Sequence, residues 1–439
     1  MGAGGAGITA AIEAKRNNGD AEVIIVDKRK RIGFAPCALP YVLAGDIKSF
    51  DDIIEFPKNF IEEQGIKLLL EKTVIGINRS DKKVILDDNQ ELNYDSLILA
   101  VGSHSFIPPI KGVEGAELFT LKTIEDAEKL KARIDELKTK ENPKAVVIGA
   151  GFIGLEMAFA LAKNNINVSV IEVAPYILPV MLDEDFAKIV KEKIESDKLR
   201  IFCSEKVNSI EKNLVITDKS KYEFDLLVLA TGVRANSDIA KNAGLEVNKG
   251  IVVNEFMQTS DKNIYACGDC IEINNIVLNK KNPSQLATTA LRTGKIAGYN
   301  AVSNEKKSLE GVLNTAVTKI MGLTIASTGL TEFSATKNNI EFVKATISSK
   351  TREDYATKKN ELIAKLIINK EKRIIGSQII GDDEVVPMID LLALAIKSGL
   401  SADELVMMEH AYSPLTSPVR SQISILAELC LKKLGVKKK

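Results

Sequence analysis

Cys37 stands in the stretch Phe34, Ala35, Pro36, Cys37, Ala38, Leu39, Pro40, Tyr41, a proline-flanked turn leading into a helix start. A thiol in a first helical turn lies beside unpaired backbone N–H groups, which lower its pKa and make it a nucleophile. Pro40 suits this position, because proline is tolerated in a first turn. The alternative is a thiol packed as a small hydrophobe, the usual fate of a free cysteine. Among the five cysteines, Cys203 and Cys430 fall in apolar surroundings and read as structural. Cys267 and Cys270 form a C-x-x-C, but no second pair or histidine cluster accompanies them, so no metal site is expected. A redox dithiol there stays open, although Gly268 and Asp269 account better for that segment.

Two glycine turns carry a second chemistry, dinucleotide binding. Gly2, Gly4 and Gly7 form G-x-G-x-x-G, followed by a helix-like run at 8–15 and a strand at 22–26 that ends on Asp27. An acid about 20 residues past the turn is placed to bind a ribose hydroxyl, and the glycines let a pyrophosphate approach a helix N-terminus. The second turn has the fuller context. A strand at 145–148 leads into Gly149, Gly151 and Gly154, then a helix, then a strand at 168–171 ending on Glu172. A carboxylate at that position binds a 2′-hydroxyl and repels a 2′-phosphate, so NADH is favoured, with NADPH still admitted. The bland alternative is glycine needed for packing alone.

The elements that must position these groups follow the same plan twice. Apolar strands at 94–102 and 224–232 both end in glycine, so each half of this region reads as glycine turn, acid-terminated strand and buried strand. One part is missing: only Met1 precedes Gly2, whereas the turn should follow a central strand whose loss leaves neighbouring backbone groups unpaired. The expectation is that the natural start lies several residues upstream, or that the sheet tolerates a stub. Further along, a helix is expected at 50–65, strands at 67–70, 74–78 and 83–86, a boundary at Pro108 and Pro109, and helices at 123–138 and 285–300. From 313 onward mixed strands (342–347, 361–369, 374–380) and helices (384–398, 423–434) carry no nucleotide fingerprint.

With 439 residues the chain spans several cores. Lys+Arg and Asp+Glu balance at 59 each, so nothing calls for nucleic acid or an anionic membrane. Lys437, Lys438 and Lys439 read as a solvated end. No apolar run approaches the ~18 residues of a membrane span and no signal peptide precedes the first turn. Cysteines without a regular framework indicate a reducing compartment, hence the cytoplasm.

Taken together and in this order, the two turns with Asp27 and Glu172, Cys37, and the strand running into Gly268 and Asp269 resemble the FAD-dependent pyridine nucleotide–disulfide oxidoreductases across essentially the whole chain. The segment Phe-Ala-x-Cys-x-x-Pro-Tyr resembles the single-cysteine branch: CoA-disulfide reductase, NADH oxidase and NADH peroxidase. The resemblance implies that Gly2, Gly4, Gly7 and Asp27 hold the ADP half of FAD, Gly268 and Asp269 the flavin side, and Gly149, Gly151, Gly154 and Glu172 the nicotinamide dinucleotide. It places Cys37 against the flavin ring. Members with an internal disulfide carry C-x-x-x-x-C; here Val42 stands where the second cysteine would be. A lone thiol beside a flavin cycles through sulfenic acid or a mixed disulfide, which limits acceptors to peroxide, O₂, or a disulfide or polysulfide such as CoA disulfide.

Peroxidase and water-forming oxidase relatives carry a histidine within the first glycine motif. Gly5 occupies that position here, and the two histidines are His104 and His410. The segment around His410 and Tyr412 resembles the C-terminal part of CoA-disulfide reductases, whose tyrosine approaches the partner subunit's cysteine, and Tyr355 resembles a second such tyrosine. Their phenols would stabilise a departing thiolate; the alternative is simple interface packing. The expected fold is thus α/β, with two Rossmann-like dinucleotide-binding domains and a C-terminal α+β dimerisation domain. The expected boundaries are 1–112 and 238–312 for FAD, 113–237 for NAD(P)H and 313–439 for dimerisation. The expected activity is reduction of CoA disulfide or a related disulfide or polysulfide by a homodimer. The alternatives are an NADH oxidase, an electron-transfer reductase serving a protein partner with Cys37 idle, and a slow nucleotide-binding redox sensor.

Overall fold

The structure, a computed structural model, describes residues 1–357 and 359–435. Lys437, Lys438 and Lys439 lie outside the described residues. Leu226–Leu229 is buried at every position, and a strand apolar on both faces needs layers on both sides, the condition of a parallel sheet. It pairs in parallel with Lys144–Ile148, which pairs with Asn167–Ile171, which pairs with Leu199–Phe202. The second glycine turn therefore springs from an inner strand, and the strand ending at Glu172 runs beside it.

The N-terminal unit repeats this scheme with its centre reduced. Val23–Asp27 pairs in parallel with Ile66–Leu70, and Leu97–Leu99 with Ile264–Ala266. Met1 and Gly2 join the two pairs. The Met1 amino group donates to the Ile98 carbonyl at 3.0 Å, the Ala100 N–H donates to the Met1 carbonyl at 2.8 Å, and the Gly2 N–H donates to the Val26 carbonyl at 2.8 Å. Each unit also carries a three-stranded antiparallel meander, Val74–Asn78 to Glu91–Asn93 in one and Val207–Glu211 to Lys221–Glu223 in the other. The chain passes from the first unit to the second through Ser103–Ser105 and back through Val233–Ala235, and these two crossings pair with each other antiparallel.

The helix that follows the first turn, Gly5–Asn17, is pressed against Ala287–Val302. A Cβ on Gly294 would lie 2.4 Å from the Ala6 oxygen, and one on Gly298 2.1 Å from the Ala10 oxygen. Two glycines one turn apart thus let the backbones approach and fix the direction in which the Gly5–Asn17 N-terminus points. Residues 50–65 do not form the single helix expected. Pro57 denies its predecessor the helical conformation, and the segment splits into a short 3₁₀ turn, Asp51–Ile53, and a helix, Lys58–Glu63.

The C-terminal unit is a five-stranded antiparallel sheet in the order Ala316–Ile320, Leu323–Gly329, Ile374–Gly381, Glu361–Asn369, Phe342–Lys350. Val385–Lys397 and Gln422–Gly435 cover it. Where it meets the second nucleotide unit, the Lys365 side chain is 0% exposed and pairs with Asp183 at 3.1 Å, Asp185 at 2.5 Å and Glu332 at 2.6 Å. Among the described residues these three acids are the group able to hold a metal ion; the Lys365 ammonium sits among them and offsets part of their charge, and Lys344 pairs with Glu332 at 2.6 Å.

Candidate active site

At both glycine turns, packing explains the first and third glycines and leaves the second unexplained. A Cβ on Gly2 would sit 2.1 Å from the Ala100 oxygen, and one on Gly7 1.9 Å from the Gly2 oxygen. On Gly149 and Gly154 it would sit 2.4 Å from the Ala230 oxygen and 2.0 Å from the Gly149 oxygen. On Gly4 and Gly151 it would meet nothing within 4 Å. These two residues are the N-caps of Gly5–Asn17 and Phe152–Lys163, and neither helix has a side-chain cap. The unpaired N–H groups of each first turn therefore open onto the space that a methyl group would fill, an arrangement suited to a diphosphate. Both cradles fit a dinucleotide, and the packing-only alternative fails at Gly4 and Gly151.

The strand-end acids do more than await a ribose. Asp27 Oδ2 accepts the Ala3 N–H at 2.6 Å, and Glu172 Oε2 accepts the Ala150 N–H at 2.6 Å, so each acid clamps its own glycine turn. Glu172 Oε1 also accepts the Ala174 N–H at 2.7 Å. Asp27 is gripped by Arg29 through Nε at 2.9 Å and Nη2 at 2.7 Å. Burial works against the Asp27 charge, but the Arg29 hydrogen bonds and charge prevail and hold its carboxyl below the usual range.

Cys37 lies in the 3₁₀ turn Pro36–Ala38, which runs straight into the helix Leu39–Leu43. It is the exposed cysteine of the five; Cys203 is half-buried, and Cys267, Cys270 and Cys430 are buried. The expected low thiol pKa is not found. Protein atoms on its inner side desolvate the thiol, the Glu156 and Asp269 carboxylates repel its charge, and Lys122 compensates only in part, so the pKa is pushed up. A five-residue helix is also a weak dipole. Burial likewise pushes up the Cys267 and Cys270 thiols, the latter to about 11, and Cys270 Sγ donates to the Cys267 carbonyl at 3.2 Å. They behave as packed thiols.

Asp269 sits in the turn Gly268–Cys270 with Oδ2 accepting from Ser103 Oγ at 2.8 Å and Lys122 Nζ at 3.1 Å. Ser103 belongs to the crossing between the nucleotide units, so this network ties the expected flavin-side acid to that crossing. Tyr355 and Tyr412 meet in the C-terminal unit, their hydroxyls 3.3 Å apart, and are 64% and 46% exposed. The Tyr412 hydroxyl, helped by burial, pushes the Tyr355 phenol up to about 12. His104 Nδ1 pairs with Asn236 Oδ1 at 2.6 Å and His410 Nε2 with the Val419 carbonyl at 2.9 Å. Sequence reasoning missed Ser103, Lys122, Thr318 and Glu156. For Glu156 there was a signal: it is the lone acid in the apolar helix Phe152–Lys163.

Two glycine turns fit for dinucleotides, together with an exposed cysteine, suit an oxidoreductase that draws electrons from a nicotinamide through a second nucleotide cofactor. The chain belongs to the pyridine nucleotide-disulphide oxidoreductases: that family's sequence profile matches residues 1–294, and the profile of the family's dimerisation domain matches residues 315–422. FAD is characteristic of the family, and the protein is an NAD(P)H oxidoreductase. A protein of Methanocaldococcus jannaschii named NADH oxidase is 41% identical, over 100% of this chain and 99% of that protein. One of Pyrococcus furiosus named NAD(P)H sulfur oxidoreductase (CoA-dependent) is 33% identical, over 98% of this chain and 97% of that protein. The solved structure of an NAD-dependent persulfide reductase from A. fulgidus superposes with a TM-score of 0.94 at 34% identity, covering 98% of this chain and 82% of that one. Among the described residues no helix is long and apolar enough to cross a membrane.

Proposed function

We propose that the protein reduces a small disulfide or polysulfide, CoA disulfide being the first choice, at the expense of NADH, with Cys37 as the sulfur that receives the substrate. One observation carries this reading: Cys37 is exposed while no other cysteine is. The sulfur that pairs with it must then arrive on the substrate, so the thiol works through a mixed disulfide or persulfide. FAD, when bound, supplies a two-electron relay between the nicotinamide and sulfur. The residues expected to hold its diphosphate are Gly2, Gly4 and Gly7, with Asp27 on the ribose side and Gly268 and Asp269 toward the flavin. Gly149, Gly151, Gly154 and Glu172 hold NADH. These roles correspond to domains at 1–112 with 238–312, 113–237 and 313–439.

The exposed apolar side chains Leu394, Met407, Leu415 and Val419 of the C-terminal unit support a homodimer. In it, Tyr355 and Tyr412 would face the partner's substrate and donate hydrogen bonds to a departing thiolate. Five unpaired cysteines support a cytoplasmic setting. A second reading, O₂ as acceptor, is favoured by the M. jannaschii relative's name.

The test is anaerobic reduction with NADH followed by CoA disulfide, polysulfide, peroxide or O₂ added one at a time, in the wild type and in Cys37→Ser. The expected result is fast reoxidation by a sulfur acceptor that disappears in Cys37→Ser, while slow reaction with O₂ survives. Full disulfide turnover in Cys37→Ser would refute the sulfur reading, and faster reoxidation by O₂ than by any disulfide would establish the oxidase.

A further inference from the structure

Each glycine turn is gripped twice at its second residue. Ala3 gives its N–H to Asp27, and Ala150 gives its own to Glu172. The carbonyls are held from the other side: the Gly33 N–H donates to the Ala3 oxygen at 3.3 Å, and the Leu178 N–H to the Ala150 oxygen at 2.9 Å. Gly33 comes six residues after Asp27, and Leu178 six after Glu172. Both donors have left-handed backbone, φ +69 at Gly33 and +50 at Leu178. The internal repeat therefore extends past the strand-end acid into the loop that follows it. At Gly33 only glycine fits, since a Cβ would lie 2.2 Å from the Phe56 oxygen. A leucine adopts this conformation at a cost, and the Leu178 side chain, 0% exposed in the core with Leu182 and Phe186, keeps it there. Strained backbone beside a ligand site marks a segment that the fold holds in place.

What Leu178 holds is the bend that follows. Its carbonyl accepts the Met181 and Leu182 N–H groups, both at 2.9 Å, so Pro179 and Val180 form the bend, with proline fixing its first torsion. Val180 stands at the tip, 84% exposed, and no large apolar side chain among the described residues is more so. Its Cα lies within roughly 7 Å of the Leu178 Cα, whose N–H reaches into the glycine turn. We propose that Val180 is the apolar contact of the nicotinamide ring of NADH. This rests on the reading of the second glycine turn as the NADH site.

The repeat supplies the direction. In the first unit the residues after the grip lead to Cys37, which the family resemblance sets against the flavin ring, the end of the cofactor away from Asp27. Pro179 and Val180 follow the second grip in the same way, so they belong at the end of NADH away from Glu172, where the nicotinamide lies. Val173, 69% exposed, directly follows Glu172 and stands at the adenosine end. The loop thus presents one uncovered apolar side chain at each end of the dinucleotide. Exposed as it is, Val180 contributes little to the protein's own core, whereas a nicotinamide ring laid on it removes apolar surface from water. The same cover keeps water from the ring, which a hydride donor requires.

The experiment is calorimetric titration of the oxidised holoenzyme with two probes. One is tetrahydro-NAD, an analogue of NADH that gives up no hydride. The other is ADP-ribose, which keeps the adenosine, the diphosphate and the second ribose but has no nicotinamide. Val180→Ser is expected to weaken tetrahydro-NAD by roughly 10-fold and to leave ADP-ribose unchanged. An exposed side chain is readily replaced without loss of the fold, and Val180→Ile, which keeps an apolar surface, should recover the tetrahydro-NAD affinity. Glu172→Gln, at the other end, should weaken both probes alike. Weakening of ADP-ribose by Val180→Ser as large as that of tetrahydro-NAD, or no weakening of tetrahydro-NAD, would overturn the contact with the nicotinamide. Glu172→Gln without effect on either probe would instead overturn the reading of the second turn on which that contact rests.

Discussion

Two glycines two residues apart should respond to the same substitution in opposite ways. Gly151 has extended backbone (φ −80, ψ −171) and open space where a Cβ would point. Gly151→Ala therefore costs the fold nothing and stabilises it slightly, by about 0.4–1 kcal/mol, through the unfolded chain. Its methyl group fills the diphosphate cradle, and displacing the ligand by an ångström removes one charge-assisted hydrogen bond or more, at about 1.5–3 kcal/mol each. That is a rise of roughly 10- to 150-fold in the NADH concentration needed for half-maximal flavin reduction. Gly149 is the converse. Its φ is +106 and its Cβ would lie 2.4 Å from the Ala230 oxygen, so Gly149→Ala combines left-handed strain of about 1–3 kcal/mol with backbone displacement of about 1–3 kcal/mol. Stopped-flow reduction across NADH concentrations, together with thermal inactivation half-lives, separates the two effects. An unchanged NADH dependence in well-folded Gly151→Ala would refute the argument that this open face receives the dinucleotide.

Glu172→Gln keeps an acceptor for the Ala150 N–H but removes the charge, so kcat/KM should fall for NADH and rise for NADPH, narrowing the ratio by roughly 5- to 150-fold; a native preference for NADPH would sink the assignment. Lys365→Met leaves Asp183, Asp185 and Glu332 facing each other at the seam between units, a loss of about 3–5 kcal/mol. It should shorten the thermal inactivation half-life sharply while leaving the NADH concentration dependence of the surviving enzyme intact. Asp27 is held below the usual carboxylate range, so its stabilisation is complete above about pH 3.9 and is lost as pH falls through the lower folded value. FAD retention followed by fluorescence on acid titration should therefore persist through the normal aspartate range in the wild type and fail at higher pH in Arg29→Ala.

Residues whose roles follow from local backbone geometry were legible in the sequence. Gly2, Gly7, Gly149 and Gly154 are dictated by a turn that only glycine can make, and Asp27 and Glu172 by a fixed strand length after it. The lone exposed cysteine was legible for the same reason, since prolines on either side left no room for a buried strand. Groups assembled by tertiary contact were not. Ser103, Lys122 and Asp269 come from three separate segments, and Thr318, which donates to Glu156, stands 162 residues further along the chain. The thiol pKa was misjudged because a first-turn rule sees only its own helix, whereas the carboxylates that oppose the charge come from elsewhere. Residues 50–65 show the smaller failure: amphipathic spacing outvoted Pro57 in the reading, and Pro57 prevailed in the chain.

The paired crossings Ser103–Ser105 and Val233–Ala235 impose an order on synthesis. Leu97–Leu99 leaves the ribosome early, yet its neighbour Ile264–Ala266 follows only after the entire second nucleotide unit has been made. At about 5–20 residues per second, that interval is on the order of 8–30 s. Through it the first unit is a half-sheet with an open edge, exposed to mispairing. The second unit, whose ends are drawn together as cross-strand neighbours, can close as soon as Val233–Ala235 emerges. The unit carrying the second glycine turn can therefore mature before the unit carrying the first in the nascent chain, although it lies later in the sequence, and under the proposed assignment loading of FAD would wait for Asp269.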